Sequence, residues 1–237
     1  MDSNRRQARR ERLRMEQARK RNQAILLIAA GAVIIAGLLI WRSLAPVGGI
    51  TLPEGKEHPM ADGTAVGDPN APVLIVDYSD FQCSACQYFF ANTEQDILTT
   101  YVASGQVRFE FHPYILDQNA LESIPASEAA YCAEEQGKFW EYHDILFTNA
   151  STSNSGGYSN KRLLAFAEAI GLDVEAFDDC LSSNKYRDQV IQETQNAKLL
   201  GITATPSFII NGKLVTGALP FSDFQAEIEA ALAAAGN

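Results

Sequence analysis

Val73-Leu74-Ile75-Val76-Asp77-Tyr78-Ser79-Asp80-Phe81-Gln82-Cys83-Ser84-Ala85-Cys86 is the stretch on which the reading of this chain turns. Its first six residues form a short, nearly continuous apolar run, the pattern of a strand buried in the middle of a sheet. From Cys83 to about Val102 the residues have helical character, and the pattern stops near Ser104-Gly105. Two cysteines, two residues apart, therefore stand where a strand passes into a helix. A helix N-terminus presents unpaired N–H groups and about half a positive charge, and both favour a thiolate. The placement predicts Cys83 as an exposed nucleophile and Cys86, one turn in, as a buried resolving thiol.

Downstream, residues 107–111 alternate and predict a second strand, ending at His112-Pro113. The sequence then turns helical over about 119–200, with helices expected at 127–137, 139–147, 161–170 and 186–200 and a polar loop at 151–158. Ser207-Phe208-Ile209-Ile210, Asn211-Gly212 and Lys213-Leu214-Val215-Thr216 spell a hairpin with a two-residue turn. Phe221–Ala235 reads as an amphipathic closing helix, with Ser222 as its expected cap. With the helical block set aside the order is β-α-β…β-β-α. That order predicts an α/β fold with a thioredoxin-like core and an inserted helical domain.

Upstream, the charge is divided sharply. Residues 1–23 carry nine Arg or Lys against three acids, whereas from Ser43 onward 9 basic residues face 26 acidic ones. So acidic a surface repels polyphosphate, which argues against nucleic acid as a partner. Residues 24–41 contain no charge and reach roughly 27 Å as a helix, enough to cross most of a bilayer core. The basic head before this run predicts a cytoplasmic N-terminus at 1–23, a membrane anchor at 24–41 and a domain outside the cytoplasm. The competing reading is a cleaved signal, whose best small-residue site, Ser43-Leu44-Ala45, is spoiled by Pro46. Residues 42–70 read as a linker rich in Gly, Pro and small polar residues, and 71–237 as the domain.

Four cysteines, an even number, suit an oxidising exterior. A zinc site needs a second closely spaced ligand pair, and neither Cys132 nor Cys180 belongs to one. His58 falls in the expected linker, His112 at a strand end and His143 on an apolar, aromatic helix, so no metal is expected and each histidine reads as structural. Cys132 and Cys180 both look like helix positions among apolar neighbours. They are expected to pair in a structural disulfide, the alternative being two buried free thiols.

The residues Tyr78 to Cys86 resemble the active-site segment of the DsbA-like thioredoxin-fold family. The runs Ala129-Ala130-Tyr131-Cys132-Ala133, Gln136-Gly137-Lys138-Phe139-Trp140-Glu141-Tyr142-His143-Asp144 and Gly201-Ile202-Thr203-Ala204-Thr205-Pro206-Ser207-Phe208 share the likeness. It is nearest to the membrane-anchored forms of Gram-positive and related bacteria. The resemblance implies that Pro206 is a cis-proline beside the cysteine pair and that the backbone of Thr205 pairs with an extended substrate segment. It places Asp77 where such proteins often hold a buried acid that takes a proton from the resolving cysteine; the other reading is an ordinary solvent-facing or hydrogen-bonded strand-end Asp. Asp80 reads as a turn or cap residue. The implied reaction is oxidation of thiol pairs in exported proteins, with no dissociable cofactor and reoxidation by a quinone-linked membrane partner of DsbB or VKOR type. Ser84-Ala85 lacks the histidine that strong oxidants of the family use to hold the thiolate, which implies a milder oxidant. A reductase or isomerase, or a non-catalytic binding module in a membrane complex, are the alternatives.

Overall fold

A computed structural model describes residues 15, 19–38, 47–116, 121–151 and 154–236. It divides into two units, residues 1–48 and 49–237. In the first, helix α1 (Arg19–Leu38) is long and apolar enough to cross a membrane. The expected end of the anchor, residues 39–41, lies outside the described residues.

The second unit is built on a five-stranded sheet of order β1-β3-β2-β4-β5. Its members are β1 (Ala65–Val66), β2 (Val73–Ser79), β3 (Val107–Pro113), β4 (Ser207–Ile210) and β5 (Lys213–Thr216). Strand β2 is central, parallel to β3 and antiparallel to β4, with Asp77 opposite Phe111 on one side and Phe208 on the other. This explains its apolar run: a strand with neighbours on both edges and cover on both faces has no solvent face to make polar. Val73 and Ile75 enter the main core, whereas Val76 and Tyr78 pack in a smaller cluster with Tyr114, Ala197 and Ile202.

The chain is helical without a break from 84 to 102. Helices α2 (Ser84–Phe89) and α3 (Gln95–Ile97) alternate with π-type turns at Phe90–Glu94 and Leu98–Val102. Phe89 anchors α2 to β4 and to the closing helix α9 (Phe221–Ala235), its ring centroid 4.6 Å from Phe208 and 5.3 Å from Phe224. Between β3 and β4 stand α4 (Ser123–Glu134), α5 (Phe139–Thr148), α6 (Asn160–Ala169), α7 (Val174–Ser182) and α8 (Arg187–Leu199). The hairpin turn places Asn211 at φ 43° and Gly212 at φ 89°, the paired positive angles that a two-residue turn between twisted strands requires.

Two expectations need correction, and one helix carries none. Residues 49–70 are not a free linker. Thr51 N–H donates to Asn149 Oδ1 (2.9 Å), Lys56 Nζ donates to the Phe90 carbonyl (3.0 Å), and β1 pairs antiparallel with β3. A two-residue strand and scattered long-range contacts leave no periodicity to read. Helix α7 carries no sequence expectation, though it begins at a cap, Asp173, whose side chain accepts from the N–H groups of Glu175 and Ala176. Ser222 does not cap α9: Pro220 holds that place in extended conformation, and Ser222 lies in the first turn.

Candidate active site

The site begins with a turn. Asp80 Oδ1 accepts from the Gln82 N–H (2.8 Å) and its carbonyl from the Cys83 N–H (2.9 Å), which swings the chain off the end of β2 into α2. The Asp80 carboxylate also accepts from Ser123 Oγ (2.7 Å) and the Leu116 N–H (3.3 Å), fastening the turn to the start of α4. Asp80 is thus a turn residue, and its reach to α4 is a feature that local sequence reading does not supply.

Cys83 is itself the N-cap residue of α2, with no side-chain capping bond. The first N–H groups of the helix consequently face a sulfur rather than a capping oxygen. Cys83 is half-buried and Cys86 fully buried, and both thiols are free. A hydrogen bond from Cys86 is the largest influence on the Cys83 thiol. Burial opposes it, while Thr205 and the N–H groups of Cys86 and Ala85 add to it, and together they lower Cys83 to about 6. For Cys86 burial dominates, and the neighbouring Cys83 and Asp77 reinforce it, so its proton is held well above the ordinary thiol range. Two cysteines one helical turn apart are pushed in opposite directions. Such a pair is suited to nucleophilic attack at one sulfur and stored thiol at the other.

Thr205 and Pro206 sit against this pair. The Thr205–Pro206 bond is cis. Cys83 Sγ lies 3.5 Å from the Thr205 carbonyl oxygen, to which the thiol donates. Thr205 Oγ1 is buried and acts on the Cys83 sulfur. Ser84 is exposed and Ala85 half-buried, so the dipeptide between the cysteines forms part of the accessible rim.

Asp77 lies on the core face of β2, 1% exposed, with Ser79 Oγ donating to its Oδ1 at 2.6 Å. Burial lifts its proton affinity well above the carboxylate range. The Ser79 bond counters this, and the charges of Glu94 and Cys83 add to it. The solvent-facing alternative is therefore not what the structure shows. Away from the pair, Cys132 on α4 and Cys180 on α7 are joined in a disulfide with an S–S distance of 2.07 Å.

His143 lies on its aromatic helix as expected, whereas His58 does not lie where it was expected. His58 is half-buried against Trp140, with ring centroids 5.3 Å apart, rather than carried on a linker. His143 is 0% exposed and stands between the carboxylates of Glu94 and Asp144. Only the fold unites residues so distant in sequence, and no local motif announces the group.

A family model described as Thioredoxin matches residues 60–230. The chain belongs to the thioredoxin family. Within it, the similarities lie with the DsbA-like thiol–disulfide oxidoreductases. A "Probable disulfide bond formation protein D" of Bacillus cereus is 27% identical over 154 residues, covering 63% of this chain and 70% of that one. The crystal structure of oxidised BdbD from Bacillus subtilis superposes with a TM-score of 0.65 at 20% identity, over 77% of this chain and 99% of that one. A variant of alpha-DsbA1 from Wolbachia pipientis superposes with a TM-score of 0.63 at 25% identity, over 75% and 94%. The Na(+)/H(+) antiporter NhaA 3 of Salinispora tropica is 30% identical over 169 residues, 71% of this chain. The chain spans only 24% of that antiporter's length.

Proposed function

We propose that this protein, anchored by its N-terminal helix with the domain outside the cytoplasm, oxidises pairs of thiols in exported proteins through Cys83 and Cys86. The single observation that carries the reading is the divergence of the two thiols, Cys83 lowered to about 6 and Cys86 raised. The starting state is the Cys83–Cys86 disulfide. A substrate thiolate attacks Cys83 Sγ, a mixed disulfide forms, and Cys86 leaves as a thiolate. Cys86 then takes up a proton, and Asp77, whose charge acts on it, is the candidate donor. The substrate's second thiolate attacks its own sulfur in the mixed disulfide and expels Cys83 as a thiolate, which the helix N-terminus stabilises. Two electrons have passed from substrate to enzyme.

In this reading Thr205 presents its backbone to the substrate strand, and Pro206 shapes the approach to Cys83. The enzyme is recharged by a membrane oxidase of DsbB or VKOR type, which the anchor keeps within reach. The relatives named for disulfide formation support the direction. The antiporter relatives, which carry this domain within a membrane protein, support work at a membrane surface.

The test is oxidation of a reduced peptide containing two cysteines by the oxidised full-length protein in detergent micelles. One equivalent of peptide disulfide should form per enzyme, and Cys83→Ser should abolish it. A protein that instead accelerates reduction of insulin disulfides, and leaves the peptide reduced, works in the opposite direction.

A further inference from the structure

The three residues that precede Cys83 are each held by the helical insertion. Ser123 Oγ, at the start of α4, donates to Asp80 Oδ1 at 2.7 Å. The Tyr158 hydroxyl is shared between the carbonyls of Phe81 (3.0 Å) and Leu146 (2.9 Å). Gln82 Nε2 donates to Glu122 Oε2 at 3.1 Å. Ser123 Oγ also lies 3.2 Å from Gln82 Oε1, but the carboxylate is the nearer and the charged acceptor, so the one hydroxyl proton goes to Asp80. Ser123, Tyr158 and Asp80 are all buried, so bulk water does not compete for these bonds.

We propose that Ser123 and Tyr158 are positioning residues for the redox pair: they hold the turn that delivers Cys83 to the start of α2, and so set how readily the pair gives up its disulfide. The inference rests on the exchange reaction proposed above and deepens it. The path from Ser123 to the nucleophile is short and runs through hydrogen bonds and the turn itself. The Asp80 oxygen that accepts from Ser123 also accepts from the Gln82 N–H (2.8 Å), and the Asp80 carbonyl accepts from the Cys83 N–H (2.9 Å). Cys83 is thereby kept in the extended conformation of an N-cap residue, with φ −81° and ψ 122°. In that conformation its sulfur can meet the free N–H groups of the first helical turn, which favour thiolate over thiol.

Two features favour positioning over plain attachment. Apolar contact already joins this turn to the insertion, since the Phe81 ring packs on Phe147 of α5 with centroids 4.9 Å apart. Burying a carboxylate at Asp80 to repeat that attachment is costly, whereas hydrogen bonds add the direction that packing lacks. Cys83 also makes no side-chain capping bond of its own. The start of α2 therefore lacks the anchor that a Ser or Asp cap supplies, and its orientation depends on the turn before it. With either hydroxyl removed the turn loosens, Cys83 spreads over more orientations, and its thiolate is held less well. A less stable thiolate makes a less stable reduced form, and hence a weaker oxidant.

The experiment compares the full-length wild type with Ser123→Ala, Ser123→Thr, Tyr158→Phe and Asp173→Ala. Three readings are taken on each: the pH profile of Cys83 alkylation by iodoacetamide in the reduced protein, the equilibrium of the Cys83–Cys86 pair with glutathione, and the urea midpoint. Ser123→Ala and Tyr158→Phe should each move the Cys83 inflection upward by about half a pH unit, the size of one ordinary hydrogen bond, and slow alkylation near pH 6 about two-fold. Their glutathione equilibria should shift toward the disulfide. Ser123→Thr, which keeps the hydroxyl, should return both readings toward the wild type. Asp173→Ala, which loosens the insertion at α7 without touching the turn, should lower the urea midpoint alone. A wild-type inflection and glutathione equilibrium in folded Ser123→Ala or Tyr158→Phe would overturn the proposal, as would an equal shift in Asp173→Ala. Alkylation needs no turnover, so a wild type that fails to oxidise a dithiol peptide would sink the functional reading and leave the placement of Cys83 by these hydroxyls standing.

Discussion

At the residue scale, Cys83 decides the chemistry, because it is both nucleophile and helix cap. Its thiol lies at about 6 rather than near its ordinary value of 9. A depressed acid group stabilises the reduced folded protein above the unfolded value, and that stabilisation is lost as pH falls through about 6. Cys86, raised, is neutral at pH 7 folded or unfolded and contributes nothing there. Alkylation of the reduced protein should therefore modify Cys83 alone, with a rate that rises through pH 6 and then levels; labelling of Cys86 first would contradict the assignment. Replacing Thr205 by Val removes the hydroxyl that helps to hold the thiolate, and should move the Cys83 inflection upward. Without a histidine at 84 or 85, the reduction potential is expected between about −270 mV and about −120 mV, the values of thioredoxin and DsbA. Ala85→His should raise that potential and lower the Cys83 inflection together. A wild-type potential below the thioredoxin value would mean a reductase.

At the element scale, the helical insertion is fastened by covalent and local means. The disulfide between α4 and α7 closes a separation of 48 residues, which in the chain-entropy model stabilises by about 4 kcal/mol. Replacing both Cys132 and Cys180 by Ala should lower the denaturation midpoint by a comparable free energy while the alkylation profile of Cys83 stays unchanged. Loss of exchange in a variant that remains folded would make this pair a redox participant. Asp173 caps α7 with two hydrogen bonds from backbone N–H groups, so Asp173→Ala should cost about 1 kcal/mol, read from the same denaturation curves. The interior of α2 depends on the Phe89, Phe208 and Phe224 rings, which lock the redox helix to the hairpin that presents Thr205 and Pro206.

At the scale of the whole molecule, charge and hydropathy divide the chain into a basic head, an apolar helix and an acidic domain. Protease added to the outside of cells with permeabilised outer layers should release the acidic domain and leave the basic head protected. A mature terminus near Pro46 in untreated cells would show cleavage in place of anchoring. The domain itself begins earlier than its composition suggests, at about Gly49, because residues of little local order are held by distant partners such as Asn149, Phe90 and β3.

The division between what could be read and what had to be folded is physical. Val73 to Cys86 carries its own meaning: burial on both sheet faces imposes the apolar run, and the strand-to-helix passage places two cysteines at a helix N-terminus. The hairpin is equally local, since Asn211-Gly212 meets the turn's demand for positive φ without help from elsewhere. The order of elements from β2 to α9, α7 excepted, follows from periodicity and turn residues, and the thioredoxin-like core with it. Tertiary structure decided everything that depends on contacts across long separations. It set the burial of Asp77 and its coupling to Glu94, the reach of Asp80 to Ser123, and the place of residues 49–70 on the domain. It also assembled the row Glu94, His143, Asp144 and His58, drawn from three separate segments. Proton affinity depends on desolvation and neighbouring charge, and neither exists until the chain has closed around the group.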